Sequence, residues 1–538
     1  MEKYNKWLNS EYIDENDKEI LKNMTKEEIE ESFSKELKFG TAGIRGIMGL
    51  GDSKINKYTI GKVTVGLANY LNKNFNNPSV AIAYDTRHNS KEFAYHTALI
   101  LNYYGIKTYI FKDVASTPEL AYSVRYLKCT SGIIITSSHN TKEYNGYKVY
   151  NSLGYQIVHP EDDLIIKEIN DITDFKLIKK APLNNELFNY IDEELHKSFL
   201  IENEKVIINK DLFDKYASNV NVTYSSMHGV GLDTSKEIFD KYKFNYNIVK
   251  EQCIKDGNFP TAPSPNPEFE EVYELAIKYA KENNSDIILA TDPDADRLGI
   301  MYKDGNEYKY LNGNMVGALF LYYIINNMDI KDNSYIVRSI VTSPFIDKIA
   351  KKHNVKVYEV LTGCKNIAHK RLNNNDENYL FGFEESIGYV FNIDIYDKNA
   401  FSSMICALEI MCYCKDKNIS FSEYVESMYK EFGYTSLNTI NLVFEDTDKI
   451  QKYMNDFRND ILDFNNKNYI KKDYLNEVGE LNTNALKYVY EDGSWIMIRP
   501  SGTEPKLKIY IGCDGLTKEE SNKKLESIIL EVKNIFNN

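Results

Sequence analysis

The sequence has no disulfide framework, no excess of basic residues, no apolar run long enough to cross a bilayer and no low-complexity linker. Its seven cysteines, Cys129, Cys253, Cys364, Cys406, Cys412, Cys414 and Cys513, are odd in number and irregularly spaced. That excludes a disulfide-stapled fold and points to a reducing compartment. Cys412 and Cys414 form an isolated C-x-C in an apolar, helix-like run, and no second ligand pair supports a zinc site. The net charge of −14, from 65 Lys and Arg against 79 Asp and Glu, argues against a general nucleic-acid or membrane-surface binder, which needs a basic face. It leaves room for a small anionic substrate in a local basic pocket. The longest apolar run, Met315–Ile325, is too short to span a membrane, and the opening segment MEKYNKWLNSEYIDEND lacks an apolar signal-peptide core. These features predict a cytoplasmic protein.

What the chain does contain is length and alternation. Its 538 residues exceed a single ordinary core and predict three or four domains. Short β-branched or apolar runs alternate with helix-period stretches, the pattern of α/β architecture. The strands fall into three groups: 80–84, 107–111 and 132–136; 220–224, 245–249 and 286–290; 335–339, 355–360 and 379–382. Each group reads strand, helix, strand, helix, strand, and each third strand runs into an unusual polar loop: TSSHN, TDPDADR or FEES. One supersecondary unit used three times is predicted, with the loops facing one cleft, because ligands of open α/β sheets gather at the carboxyl ends of strands. The last hundred or so residues read as a smaller α+β unit with strands 495–499 and 507–512. Boundaries near residues 205, 306 and 430 divide the chain into 1–205, 206–306, 307–430 and 431–538.

The chemistry-bearing residues sit in the loops. In SGIIITSSHNTKEYNGYKVY an apolar strand delivers Thr136, Ser137, Ser138, His139 and Asn140 in succession. A hydroxyl beside an imidazole suits a nucleophile, although a hydroxyl-rich turn uses the same letters, and two serines leave the nucleophile undecided. In DIILATDPDADRLGI, Asp292, Asp294 and Asp296 alternate after a strand. Crowded acids repel unless a cation neutralises them, and hard oxygen ligands favour Mg²⁺ or Ca²⁺ over a merely solvated turn. An EF-hand is excluded, because Arg297 and Lys303 stand where that loop needs Gly and Glu. Arg297 beside the acids suits a phosphate. In WIMIRPSGTEPKLKIY, Arg499, Ser501, Gly502, Thr503, Lys506 and Lys508 suit phosphate oxygens, and an ordinary Pro-Gly hairpin is the alternative. In LFGFEESIGY, Glu384 and Ser386 fit hydrogen bonding to sugar hydroxyls, while a helix N-cap with first-turn acids reads the same. FGTAGIRGIMG offers Arg45 in a glycine-rich loop that is not a dinucleotide fingerprint, and Thr362, Gly363 and Lys365 of LTGCK offer a second anion site. His228 reads as structural.

In order, FGTAGIRG, TSSHN, DPDADR, TGCK, FEES and RPSGTEPK resemble the motifs of the alpha-D-phosphohexomutase superfamily, the phosphoglucomutases and phosphomannomutases, from near residue 39 to near residue 512. FEESIGY with DKNA is most similar to the phosphoglucomutase-2-like branch. The resemblance implies three related α/β domains with mixed sheets and a smaller α+β domain around a central cleft. It implies a cytoplasmic phosphotransferase acting within one sugar phosphate, glucose 1-phosphate first, with mannose and pentose phosphates as alternatives. It places the phosphoryl group on Ser138, with Asp292, Asp294, Asp296 and the phosphoserine around Mg²⁺. It sets Arg45 and Arg297 beside the phosphoserine, and His139 and Lys148 in proton transfer or orientation. It assigns Glu384 and Ser386 to the sugar and Arg499, Ser501, Gly502 and Thr503 to the non-reacting phosphate. Glucose 1,6-bisphosphate is the implied activator, and a monomer or homodimer the implied assembly. Ser137, Thr141 and Asn399-Ala400 depart from the usual Ala, Pro and Asp-Gly. Two rivals are an aspartate-dependent phosphotransferase, which leaves TSSHN and RPSGTEPK without purpose, and a non-catalytic sensor, which has no reason to keep the serine and all three aspartates.

Overall fold

Apolar and β-branched runs bounded by polar turns become strands in the computed structural model, which describes residues 1–40, 43–374, 376–444, 447–465, 468–501 and 505–537. Among the described residues, the strands make four sheets. The first holds β1 (Gly43–Ile47), β2 (Ser79–Tyr84), β3 (Lys107–Ile110), β4 (Ser131–Ile135), β5 (Tyr144–Asn151) and β6 (Phe188–Tyr190), in the order β1-β5-β4-β2-β3-β6. The second holds β7 (Asn221–Ser225), β8 (Asn245–Ile248), β9 (Ile287–Thr291), β10 (Leu298–Asp304) and β11 (Glu307–Leu311), in the order β11-β10-β9-β7-β8. The third orders β12 (Ser334–Ser339), β13 (Lys356–Val360), β14 (Asn378–Glu384) and β15 (Gly388–Phe391) as β13-β12-β14-β15.

One motif recurs in these three mixed sheets. A first strand (β2, β7 or β12) lies between two parallel neighbours, and the third strand of the motif (β4, β9 or β14) turns back into an antiparallel partner (β5, β10 or β15). The connection from third strand to antiparallel partner is therefore the equivalent loop in each unit, at residues 136–143, 292–297 and 385–387. These are the three polar loops singled out by sequence.

The fourth sheet is antiparallel throughout, with β16 (Tyr434–Val443), β17 (Tyr469–Asp473), β18 (Leu486–Tyr490), β19 (Trp495–Pro500) and β20 (Lys506–Gly515) in the order β16-β20-β19-β18-β17. Period-two alternation gives it two apolar faces. Ile496 and Ile498 enter its own core with Ile450, Met454 and Val532 of its helices. Trp495 and Met497 point the other way, with Tyr510, onto Ile340 and Val341 of the third unit.

Helices join the units. The helix Ala400–Lys417 is buried on nearly every face, as its lack of a polar side requires, and its single deep carboxylate, Glu409, accepts the backbone N–H groups of Ile208 and Asn209. Near the N-terminus, Trp7 packs edge-on against Phe33, Tyr58 and Phe175 and donates to Asp52 at 2.9 Å, which fastens three short helices to the first unit. No helix among the described residues is long and apolar enough to cross a membrane.

Helix Lys57–Asn74 starts at Asn56, whose side chain accepts from Tyr58 and Thr59, and crosses helix Glu161–Asn170 at Gly66. A Cβ there would stand 2.5 Å from Ile169 Cγ1 and 2.7 Å from Ile169 Cα, so backbone as well as side chain blocks it. Gly66→Ala adds about 1 kcal/mol of helix propensity, but overpacking against a rigid backbone costs about 3 kcal/mol. A net loss of about 2 kcal/mol in urea unfolding is expected; a variant as stable as the parent would show that the crossing is loosely packed.

Candidate active site

The three equivalent loops meet. Ser138, at the end of β4, is in the left-handed region at φ 51°. Its N–H donates to Thr136 Oγ1 at 2.8 Å, and its hydroxyl donates to Asp292 Oδ2 at 2.7 Å, 3.3 Å from His139 Nδ1. Ser137 turns away and donates to Asn140 Oδ1 at 3.3 Å. That same oxygen accepts Arg45 Nη1 at 3.1 Å, which fixes the cation of β1 over the serine loop. Of the two serines, only Ser138 addresses the carboxylates.

Asp292, Asp294 and Asp296 are buried, with carboxylate oxygens within 4.8 Å of one another. Asp294 Oδ1 and Asp296 Oδ1 make no hydrogen bond among the described residues, although neither is exposed. Three buried anions with lone pairs left open and a hydroxyl at their edge form an all-oxygen donor set that fits a hard divalent cation. Burial and the neighbouring Asp296 and Asp294 push the Asp292 carboxyl well above its ordinary value. Burial acts on Asp294 in the same direction, but Lys148 and a hydrogen bond from Thr117 hold that carboxyl below the usual range. The cations come from different units. Lys148 Nζ of β5 lies 3.0 Å from Asp294 Oδ2, and Lys398 Nζ of the third unit lies 3.1 Å from Asp296 Oδ2. Arg297 pairs with Glu268 at 2.9 Å, and the surrounding acids outweigh its burial and raise its pKa further. The His139 imidazole is driven well below its ordinary value by burial and by Arg297, Arg45 and Lys398, and is neutral near pH 7.

Backbone bonds lock the aspartate loop between its neighbours. Thr117 of the first unit donates its N–H to Asp294 O at 2.9 Å and its hydroxyl to Asp294 Oδ2 at 2.8 Å. Ala400 N of the third unit donates to Ala295 O at 3.3 Å, and Leu298 N donates to Ile387 O at 3.3 Å.

FEES forms the β14–β15 hairpin, with Glu384 opposite Gly388; the helix-start alternative for these residues is replaced by a turn. Buried Glu384 accepts Gly363 N of the 362–365 loop, which joins those two expected substrate segments. Ser386 is half-buried at the turn, and Thr362 leads into helix Cys364–Leu372. Lys365 reaches the first unit at Ile157 O, 3.3 Å away, and burial lowers its pKa to about 8. Burial and Glu384 raise the Glu385 carboxyl to about 7. In the fourth unit Arg499 ends β19 opposite Lys508, and Ser501 N donates to Lys506 O at 2.8 Å. Gly502 and Thr503, expected phosphate binders, lie outside the described residues. Tyr510 sits between this loop and the hairpin: burial and Glu385 raise its phenol while Arg499 opposes them.

Sequence reasoning passed over Asp85, Arg87, Thr117, Glu268 and Lys398. Asp85 and Arg87 follow β2, so the strand-end rule that found the third-strand loops, applied to first strands, reaches them. Lys398 stands in DKNA, where the structure explains the Asn: Asn399 Oδ1 caps the buried helix at Phe401 and Ser402, while its Nδ2 donates to Asn203 Oδ1 at 2.7 Å, which an Asp cannot do. His228 is held by Ile254 O at 3.1 Å and Thr261 Oγ1 at 2.9 Å.

Comparison with known proteins matches four successive segments to one family. Phosphoglucomutase/phosphomannomutase alpha/beta/alpha domain I matches residues 36–176, domain II 202–305 and domain III 312–432, and the C-terminal domain matches 445–527. A phosphoglucomutase of Staphylococcus saprophyticus is 35% identical over 542 residues, covering 95% of this chain and 96% of that protein. A phosphomannomutase of Mycoplasmoides pirum is 32% identical, covering 99% of this chain and 98% of its own. Among solved structures, the open form of a Paramecium phosphoglucomutase, parafusin, has a TM-score of 0.72 at 20% identity, covering 93% of this chain and 95% of its own. At that identity the likeness is one of fold.

A divalent ion bound only by the folded loop stabilises the chain by about 2.7 kcal/mol at a hundred times its dissociation constant. Mg²⁺ is expected to raise the unfolding midpoint of the parent and to leave Asp294→Asn unmoved. An equal rise in both proteins would remove the triad as the site.

Proposed function

This chain belongs to the phosphoglucomutase/phosphomannomutase family and is a phosphohexomutase, and we propose that it interconverts glucose 1-phosphate and glucose 6-phosphate through a phosphorylated Ser138. The observation that carries the reading is the Ser138 hydroxyl 2.7 Å from Asp292, at the mouth of a buried three-carboxylate cage. The four sheets and the four matched segments support four functional units, taken as 1–205, 206–306, 307–430 and 431–538 except that β11, a strand of the second sheet, moves the second boundary from 306 to Leu311. Seven free cysteines, all buried, support a working place in the reducing cytoplasm.

In the proposed cycle a glucose monophosphate enters with its phosphate on Arg499, Ser501, Gly502 and Thr503 and its ring hydroxyls on Glu384 and Ser386. Thr362, Gly363 and Lys365 line the path between. The free hydroxyl of the sugar attacks the phosphorus of phospho-Ser138; the new O–P bond forms as the Ser138 Oγ–P bond breaks, and the product is glucose 1,6-bisphosphate. The hydroxyl proton leaves to a base worth about 10²–10⁴-fold. Of the two residues expected there, His139 is neutral with its Nδ1 3.3 Å from Ser138 Oγ, whereas Lys148 Nζ is engaged by Asp294 and Asp296. The bisphosphate turns end over end and returns its other phosphate to Ser138 by the reverse transfer. Arg45 and Arg297 steady the transferring group, since phosphoryl transfer depends on placement and charge more than on covalent help.

Asp292, Asp294, Asp296 and the phosphoserine would hold Mg²⁺, which when bound neutralises charge on the phosphoryl oxygens. Glucose 1,6-bisphosphate primes the cycle by phosphorylating Ser138. A phosphomannomutase relative at 32% identity makes mannose 1-phosphate the second substrate reading.

Ser138→Ala is expected to stay folded and to lose mutase turnover, measured with Mg²⁺ and a trace of glucose 1,6-bisphosphate. Full turnover in the folded variant refutes the phosphoserine. Among glucose, mannose and ribose 1-phosphates, kcat/KM is expected to be highest for glucose; a higher value for either other sugar retires the glucose assignment and keeps the mutase.

A further inference from the structure

Ser138 holds a backbone conformation that costs a non-glycine residue about 1–3 kcal/mol, so the surrounding structure has to impose it. The agent is a buried ion pair that sequence reasoning passed over. Asp85 and Arg87 are 1% and 3% exposed, with Arg87 Nε 3.2 Å from Asp85 Oδ2. Both backbone groups of Ser138 end on this pair. Its N–H donates to Thr136 Oγ1, whose hydroxyl donates to Asp85 Oδ2 at 2.6 Å; its carbonyl accepts Arg87 Nη2. The same guanidinium donates to the carbonyls of Asn140, Thr141 and Tyr144, so one planar fork gathers three carbonyls of the loop and the first carbonyl of β5. Asp85 is fixed in turn by Arg87 N and Ser90 Oγ. The ring of Phe259, from the second unit, lies 4.9 Å from the guanidinium carbon.

Burying an ion pair costs several kcal/mol of desolvation, and apolar replacements of such pairs are often neutral or better for stability. Geometry is what this pair supplies. We propose that Asp85 and Arg87 are positioning residues: they close a circuit through Thr136 that holds the Ser138 peptide left-handed, with its hydroxyl on Asp292. The proposal rests on the reading of Ser138 as the phosphoryl carrier.

The test is a double-mutant cycle of Arg87→Lys and Thr136→Val, each checked for folding by its unfolding midpoint. Lys keeps the charge but not the planar fork; Val keeps the shape of Thr136 but not the relay. Misplacement of a reacting group by about 1 Å costs about 100-fold, and each single variant is expected to lose kcat on that scale with KM for glucose 1-phosphate unchanged. The double variant should be no slower than the slower single, because both changes open one circuit. Two independent packing defects would give losses that multiply. Multiplying losses, or parental kcat in a folded Arg87→Lys, overturns the proposal. Should Arg87→Lys not fold, parental kcat in Thr136→Val does the same. Hydrogen exchange in the peptide spanning 131–145 is expected to quicken in each variant whatever the activity, and unchanged exchange also overturns the circuit. A parent chain without mutase turnover whose variants still quicken exchange would sink the phosphoserine reading and leave the circuit standing.

Discussion

Three carboxylates buried within 4.8 Å of one another cannot all keep their charge unaided, and the architecture of this protein is arranged around that repulsion. No unit supplies the answer alone. Lys148 and Thr117 come from the first, Arg297 from the second and Lys398 from the third. The backbone of the loop is tied on one side to Thr117 and on the other to Ala400. Charge neutralisation and assembly of the units are therefore one event: when the sheets dock, the acids acquire partners, and the hydroxyl of Ser138 comes to rest against Asp292. Three carboxylate oxygens, Asp294 Oδ1 and both of Asp296, still lack a hydrogen-bond partner among the described residues, which is the opening a divalent cation fits.

The recurrent unit explains why the pieces arrive in register. In each of the first three sheets the third strand turns straight back into an antiparallel neighbour, and the residues of that reversal carry the chemistry. The three reversals differ in letters because each supplies a different group, with a hydroxyl in 136–143, acids in 292–297 and a carboxylate-hydroxyl pair at 384–386. Glu384 ends its strand facing Gly388 and bonds to Gly363, so the hairpin and the 362–365 loop act as one wall. Tyr510 carries that wall on to the Arg499 loop.

Much of this was legible in the sequence, and for local reasons. A buried strand followed by alternating aspartates, or by two serines and a histidine, is improbable as packing material, and strand-end position says where such residues point. Choosing Ser138 over Ser137 from residues alone was not possible, since each is a short hydroxyl beside the other; one hydroxyl meets Asp292 and the other Asn140 only after two sheets have come together. FEES had two readings because carboxylates and a serine suit a helix start and a hairpin turn equally, and pairing between β14 and β15 decides it. Position after β2 could have marked Arg87 beside Asp85, but nothing local says which carbonyls it gathers, and Lys398 is a lone cation in a loop with no local signature. Their meaning lies in acceptors 51 and more residues away, such as the carbonyl of Ser138 and the carboxylate of Asp296. The Asn at 399 is intelligible only beside Asn203.

The tie between Ala400 and the carbonyl of Ala295, with Lys398 beside it, has a consequence for how the protein comes to exist. A growing chain on the ribosome carries its serine and then its acids, yet the cation that quiets Asp296 is added only 102 residues after that carboxylate. Domains tend to fold in order as they emerge, so a nascent or truncated product folds its first sheets while the carboxylate cage still lacks part of its charge balance. Competence in phosphoryl chemistry should therefore appear abruptly and late, and broken chains should be inert toward cellular sugar phosphates.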